Sequence, residues 1–170
     1  MKSTPEFFQR FLFRPPGSFL RPPGARPEKE FLARCLQCGQ CAQVCIFDCI
    51  SMGIGFNFFQ SGTPRINPHK APCFLCMRCS QACPSDALED VPIEKVRMGH
   101  AVLDRNKCYT WKQELFCRSC YERCPIKSTA MELDWGEFPI ITDQCAGCGV
   151  CEHVCPAKAI TTIPTRYVNP

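Results

Sequence analysis

The spacing of the cysteines constrains this chain more than any other feature of its sequence. In the run from Cys35 to Cys45, gaps of two, two and three residues separate four cysteines, and this spacing returns twice. Such a run is typical of an iron–sulfur loop, because three closely spaced thiolates wrap three irons while the fourth ligand comes from elsewhere. The four runs contain Cys35, Cys38, Cys41 and Cys45; Cys73, Cys76, Cys79 and Cys83; Cys108, Cys117, Cys120 and Cys124; and Cys145, Cys148, Cys151 and Cys155.

The third run is stretched, since eight residues separate Cys108 from Cys117 where the other runs have two. A proline follows the last cysteine of runs two, three and four, whereas Ile46 follows Cys45. In two-cluster ferredoxins the last cysteine of a run precedes proline and binds the other cluster. Glycines inside the runs favour close approach of backbone amides to the sulfurs; these are Gly39, Gly147 and Gly149.

Two other uses of the 17 cysteines are disfavoured. Disulfides need an oxidising compartment, but residues 1–6 lack a twin arginine and no long apolar core with a cleavage site follows. We therefore expect a cytoplasmic chain with reduced thiols. Structural zinc uses two pairs of ligands per ion rather than triplets with a displaced fourth cysteine.

Charge and hydropathy limit the partners. No run of about 18 apolar residues occurs, so we expect no membrane span, and any membrane contact would come through a partner. The formal charge of +4 omits the cofactors. Four oxidised [4Fe–4S] clusters with thiolate ligands, each about −2, would bring the total to about −4, so we expect no nucleic-acid binding.

The linkers predict an α+β fold of two bacterial-ferredoxin-like modules in tandem, built from small hairpins and short helices. Residues 1–27 are rich in proline, phenylalanine and arginine and predict an extended arm, which either folds back on its own domain or holds a partner. Residues 28–92 and 93–170 form the two predicted modules. In each, a strand, turn and strand join two runs, at residues 50–67 and at residues 130–141.

These hairpins favour a tandem pairing of run one with run two and of run three with run four. A nested pairing, of run one with run four and run two with run three, stays open. On the tandem interpretation the first site is Cys35, Cys38, Cys41 and Cys83; the second is Cys73, Cys76, Cys79 and Cys45; the third is Cys108, Cys117, Cys120 and Cys155; and the fourth is Cys145, Cys148, Cys151 and Cys124.

The sixteen cysteines of the four runs already supply every cluster ligand, so we expect the remaining polar and aromatic side chains to bind no cluster. Cys49 stands outside the runs and is interpreted as a small buried residue rather than a reactive thiol. Aromatic residues around the third run predict shielding of a cluster or, less readily, docking of a partner. The groups considered are His69, His100 and His153; Tyr109, Trp111, Phe116 and Tyr121; and the cations Lys107, Lys112, Arg118 and Arg123. We find no catalytic constellation among them.

The four-run layout, the Arg-Pro-Pro-Gly segment at 21–24 before residues 31–35, and the stretched third run resemble the NapF and NapG/MauM ferredoxins. These proteins accompany periplasmic nitrate reductase or methylamine dehydrogenase. The resemblance covers about residues 14–163. Overall length and the start of the chain are similar to the cytoplasmic NapF type, while residues 97–103 are similar to NapG/MauM.

The cysteine runs and this resemblance together predict a non-catalytic protein with four [4Fe–4S] clusters that relays single electrons within a larger redox complex. The resemblance implies redox partners, namely an oxidoreductase catalytic subunit, a membrane quinol-oxidising subunit, or both. It also implies an alternative, in which the chain is an assembly or maturation factor for a molybdenum oxidoreductase, as NapF-like proteins are.

Overall fold

The computed structural model describes residues 20–53 and 60–165. In chain order, the helices are α1 Glu28–Arg34, α2 Gln40–Gln43, α3 Arg78–Gln81, α4 Ser119–Arg123, α5 Lys127–Ala130 and α6 Val150–Val154. The strands are β1 Ile50–Gly53, β2 Thr63–Ile66, β3 Gly99–Leu103, β4 Met131–Asp134, β5 Phe138–Ile141 and β6 Ile160–Pro164. Short helices and small strands are what the α+β prediction requires, and that prediction is confirmed.

The strands form three antiparallel pairs. In the β1–β2 pair Ile50 lies opposite Ile66, and in the β4–β5 pair Met131 lies opposite Ile141. These are the two hairpins that the linkers between runs predict. The third pair joins β3 to β6, so that residue 99 lies opposite residue 164 across the second module. The last strand thus pairs with β3, which begins shortly after the predicted module boundary at residue 93.

The last part of the arm packs on the first module. Leu20 is fully buried and forms an antiparallel bridge with Ile66. The guanidinium of Arg21 donates to both carboxylate oxygens of Glu28, at 2.7 and 3.0 Å, and lies 4.4 Å from the centre of the Phe31 ring. Residues 20–27 therefore belong to the domain, while residues 1–19 of the predicted arm lie outside the described residues.

Helix α1 connects this segment to the first run. It begins after Pro27 with Glu28 and Glu30 in its first turn and ends with Arg34, a charge order that complements the helix dipole. Its one fully buried side chain is Phe31, which lines the cavity of the first site. The helix thus joins the arm to that site.

One hydrophobic core crosses the predicted boundary at residues 92 and 93. It contains Ile66 and Leu75 from the first module together with Met98, Ala146 and Val150 from the second. A second, smaller core lies under β3, β4 and β6. The two modules therefore pack together, and their division at residue 92 stays a prediction. Among the described residues, no helix is long and apolar enough to cross a membrane.

Candidate iron–sulfur sites

Runs one, two and four share a backbone signature. The second and fourth residues after the first cysteine take the left-handed conformation in all three. Those residues are Gln37 and Gly39, Leu75 and Met77, and Gly147 and Gly149, with φ between 56° and 82°. This turns amide groups toward the sulfurs: the N–H of Leu75 donates to Cys73 Sγ and that of Gly147 to Cys145 Sγ, each at 3.4 Å.

The first site combines the triplet of run one with the last cysteine of run two. Its four cysteines line one cavity, together with the side chains of Phe31 and Leu88. Because Cys83 follows α3 while the triplet surrounds the start of α2, the packing of these two helices brings the set together.

The third and fourth sites repeat this arrangement in the second module. Cys155 joins the triplet of run three around one cavity, and Cys124 joins the triplet of run four around another. Helices α4 and α6 pack against each other as α2 and α3 do. The three cavities are alike in their four thiols, as expected for the same occupant.

The second site contains five cysteines. The triplet of run two lies with Cys45, the last cysteine of run one, and with Cys49. The sulfurs of Cys45 and Cys49 are 3.4 Å apart. The pKa of Cys49 is raised far above its ordinary value. The largest cause is the hydrogen bond with Cys73, and the second is burial. The sequence did not indicate that Cys49 belongs to this site.

Burial dominates the acidity of most shifted cysteines. It raises the pKa of Cys41 to about 11 and those of Cys79, Cys120 and Cys148 to about 12. Cys83 differs, because its pKa is lowered overall. Burial raises this pKa, but the combined hydrogen bonds from the backbone of Leu88, Ser85 and Ala87 and from the Ser85 hydroxyl lower it by more. Because iron binds the thiolate, loading these sites releases protons.

Each set of four thiols provides the donors that a [4Fe–4S] cluster needs. Among residues 20–53 and 60–165, no three His, Cys, Asp or Glu side chains are arranged to hold a single metal ion. A zinc ion needs its four donors at roughly 2.0–2.3 Å from one point. All 17 cysteines are free thiols. The thiol donors, the cavities and the inward amides fit [4Fe–4S] clusters.

The four sites follow one another in space as first, second, fourth and third. The pKa of Cys79 in the second site is raised mainly by burial and next by Cys73 of the same site. A thiolate at Cys41 in the first site makes the third contribution. The N–H of Cys73 in the second site donates to the carbonyl oxygen of Cys148 in the fourth, at 3.0 Å. Burial raises the pKa of Cys151 in the fourth site, and Cys120 of the third adds to that rise.

Two histidines reinforce the junction between the second and fourth sites. His69 Nε2 lies 2.9 Å from Oε1 of Glu152, whose side chain is almost fully buried. The other oxygen of Glu152 accepts from the N–H of Thr162 at 2.8 Å. His153 Nδ1 lies 3.1 Å from the carbonyl oxygen of Pro68. Both histidines contact protein groups of this junction, although the His69 side chain stays 64% exposed. Neither residue spacing nor charge indicated the partner Glu152.

The aromatic residues of the third run divide between shielding and exposure. Tyr109 lines the third cavity, and Trp111 packs on Phe138, with 5.0 Å between ring centres. Phe116 is 57% exposed, and the guanidinium of Arg118 lies 4.9 Å from its ring centre. Tyr109 therefore shields the site, whereas Phe116 stays open to solvent.

The cations of the third run mostly have local partners. Lys107 Nζ lies 3.4 Å from the carboxylate of Asp104, and Lys112 pairs with Glu114. The remaining predicted groups lie elsewhere: His100 on β3 is half-buried, Tyr121 packs against the smaller core, and Arg123 ends α4.

Comparison with known proteins identifies two domains. Residues 34–87 match the family described as "4Fe-4S dicluster domain", and residues 138–161 match "4Fe-4S binding domain". The first match contains runs one and two, and the second contains run four.

Curated relatives match over most of the chain. The methylamine utilization ferredoxin-type protein MauM of Paracoccus denitrificans is 38% identical over 149 residues, which cover 80% of this chain and 66% of the relative. Ferredoxin-type protein NapG of Escherichia coli is 37% identical, covering 89% and 73%. Ferredoxin-type protein NapF of the same organism is 30% identical, covering 84% and 83%. The chain spans about two thirds of the length of the MauM relatives.

Proposed function

Because the chain belongs to the ferredoxin-type iron–sulfur proteins that include NapG, MauM and NapF, we propose that it relays single electrons through four [4Fe–4S] clusters. Such clusters, when bound, supply one-electron carriers whose potentials depend on burial and hydrogen bonds to sulfur. The observation that carries the proposal is the grouping of sixteen cysteines into four sets of four that lie in continuous order.

We assign the ligands by the tandem pairing. Three cavities each contain a triplet from one run and the last cysteine of its tandem partner. The dicluster domain covers residues 34–87, the stretch in which runs one and two would bind two clusters together. In a nested pairing Cys83 would join a triplet of run three, whereas it lines the cavity of the first run.

The order of the sites makes the first and third the two ends of the relay. The chain itself provides the connections between neighbouring sites: α2 packs on α3, Cys73 donates to the Cys148 carbonyl oxygen, and α4 packs on α6. Each connection is formed by residues within or next to a run. The protein's contribution is thus to hold the sites in sequence and to set the polarity around each one.

The partners follow from the ends of this relay. We propose an electron donor at one end site and an acceptor at the other, from among an oxidoreductase catalytic subunit and a membrane quinol-oxidising subunit. The chain itself transforms no substrate in this proposal. Its location in the cytoplasm remains a prediction, which fractionation of cells that produce the untagged protein would test.

Iron and sulfide analysis of anaerobically prepared protein tests the cofactor content. We expect about sixteen irons and about sixteen sulfides per chain. Far fewer irons, or zinc in their place, would contradict the proposal. The relay is tested separately in a purified complex that contains the chain, where adding the complex's electron donor should reduce the clusters of the bound chain. Clusters that stay oxidised would contradict the relay.

The alternative role in assembly is favoured by the similarity to NapF. Its test is a deletion that spares the described core, so residues 1–19 are removed while Leu20 is kept. An assembly factor that uses this segment would lose binding to the apo-enzyme of a molybdenum oxidoreductase. An electron relay would keep its iron content and its reduction by the donor.

A further inference from the structure

Cys49 lies at a position that runs two and four give to alanine. It is the fourth residue after Cys45, as Ala87 is after Cys83 and Ala159 is after Cys155. All three of these residues are buried, with exposed fractions of 6%, 1% and 1%. A small side chain suffices to fill this position, and run one alone among the three places a thiol there.

The backbone shows that the three positions are equivalent. The residue before each takes the left-handed conformation, with φ of 49° at Asp48, 53° at Asp86 and 48° at Lys158. A strand begins directly after Cys49 and directly after Ala159. The path of the chain after the last cysteine is thus the same in these three runs, and in run two the side chain at this position, Ala87, lines the cavity that Cys83 joins.

The extra sulfur lies between two cysteines of the second site. Cys49 Sγ is 3.4 Å from Cys45 Sγ, within hydrogen-bond range for two sulfurs. The side chain of Cys49 also forms a hydrogen bond with Cys73. Because Cys45 and Cys73 would bind iron as thiolates, which carry no proton, Cys49 is the residue that can donate.

We propose that Cys49 is an S–H donor to the sulfurs of Cys45 and Cys73, and that it raises the reduction potential of the cluster in the second site. This inference rests on the proposed ligand assignment. Adding one electron to the site adds one negative charge, which a hydrogen bond to a ligand sulfur stabilises. Cys49 tunes the site and is not one of its ligands, because four thiolates already serve one cubane.

The test variant is Cys49→Ala, which installs the residue that the chain carries at positions 87 and 159. We expect its iron content to stay at about sixteen per chain. In a potentiometric titration followed by low-temperature EPR, one cluster should become harder to reduce while the other three stay unchanged. A tenfold change in its reduction equilibrium corresponds to about 59 mV for one electron.

Two further variants separate a hydrogen bond from a packing effect. Cys49→Ser keeps a donor and should recover part of the shift. Ala87→Cys adds a thiol to a position that lines the first cavity, and it should raise the potential of a cluster that Cys49→Ala leaves unchanged. Pulsed EPR in D₂O should show an exchangeable proton near one reduced cluster in the parent protein, and Cys49→Ala should remove it.

Two results would overturn the inference. If Cys49→Ala leaves all four potentials and the exchangeable proton unchanged, the thiol tunes nothing. If the variant loses about four irons, Cys49 is a ligand rather than a donor. Failure of the proposed function is distinguishable, because the parent protein itself would then contain far fewer than about sixteen irons.

Discussion

Adding one methyl group at Gly149 should disrupt the junction between the second and fourth sites. Gly149 has a φ of 82°, and a β-carbon placed on it would lie 2.4 Å from the β-carbon of Pro68. The left-handed conformation costs an alanine about 1–2 kcal/mol. Relieving the clash adds about 1–3 kcal/mol, because Pro68 is fully buried and has little room to move.

Gly39 provides a matched control for this substitution. It occupies the same position in run one and has a φ of 76°, but a β-carbon there would meet nothing within 4 Å. Run two has Met77 at this position, with a φ of 58°, so the fold accepts a side chain where space allows. Gly39→Ala should therefore cost only the conformational part, about 1–2 kcal/mol.

The assay is thermal unfolding of both variants under anaerobic conditions, followed by circular dichroism and by iron release. For a chain of this size, 1 kcal/mol lowers the midpoint by roughly 2–4 °C. Gly149→Ala should therefore unfold about 2–12 °C below Gly39→Ala. Electron transfer from the first module to the second should also slow in Gly149→Ala alone. Equal midpoints for the two variants would refute the packing argument at Pro68.

Three further substitutions test the arm, the ligand pairing and a half-buried histidine. Glu28→Gln removes the charge that pairs with the buried Arg21 and should lower the free energy of unfolding, measured in urea, by about 1.5–3 kcal/mol. The control Glu30→Gln removes a more exposed ion pair and should lower it by about 0–1 kcal/mol. Equal losses in the two variants would contradict a structural role for Arg21. Cys83→Ser should remove about four of sixteen irons, from the first site, whereas Cys76→Ser, in the triplet of run two, should leave the first site intact. Loss of the cluster at run three instead would contradict the tandem pairing. Burial lowers the pKa of His100 below 6.5, so the folded state binds fewer protons than the unfolded state. The free energy of unfolding should therefore fall as the pH drops below about 6.5. A His100→Gln variant whose stability has the same pH dependence would refute this.

The cysteine runs allow the sites to be predicted from sequence because their chemistry depends on local spacing. A triplet with gaps of two residues can bind one cluster in few ways, and glycine at positions such as 39 and 147 is compatible with the left-handed turns observed there. The two hairpins were also predictable, because alternating strand residues and turn residues lie within twenty residues of each other. These features need no knowledge of distant contacts.

Other features depend on contacts between residues far apart in the sequence. The pairing of Gly99–Leu103 with Ile160–Pro164 joins segments about sixty residues apart, and neither segment indicates its partner. The burial of Leu20 needs a surface near Ile66, which a proline-rich segment does not reveal. The same holds for Cys49: its place among five thiols depends on how runs one and two fold together.

The most direct test of the account is X-ray diffraction from crystals of the anaerobic protein, recorded at the iron absorption edge. The anomalous map should show four iron clusters, with the second and fourth adjacent and the first and third at the two ends. Cys83 should bind the cluster held by run one, and Cys45 the cluster held by run two. Fewer than four clusters, or Cys45 bound to the cluster of run four, would contradict the account.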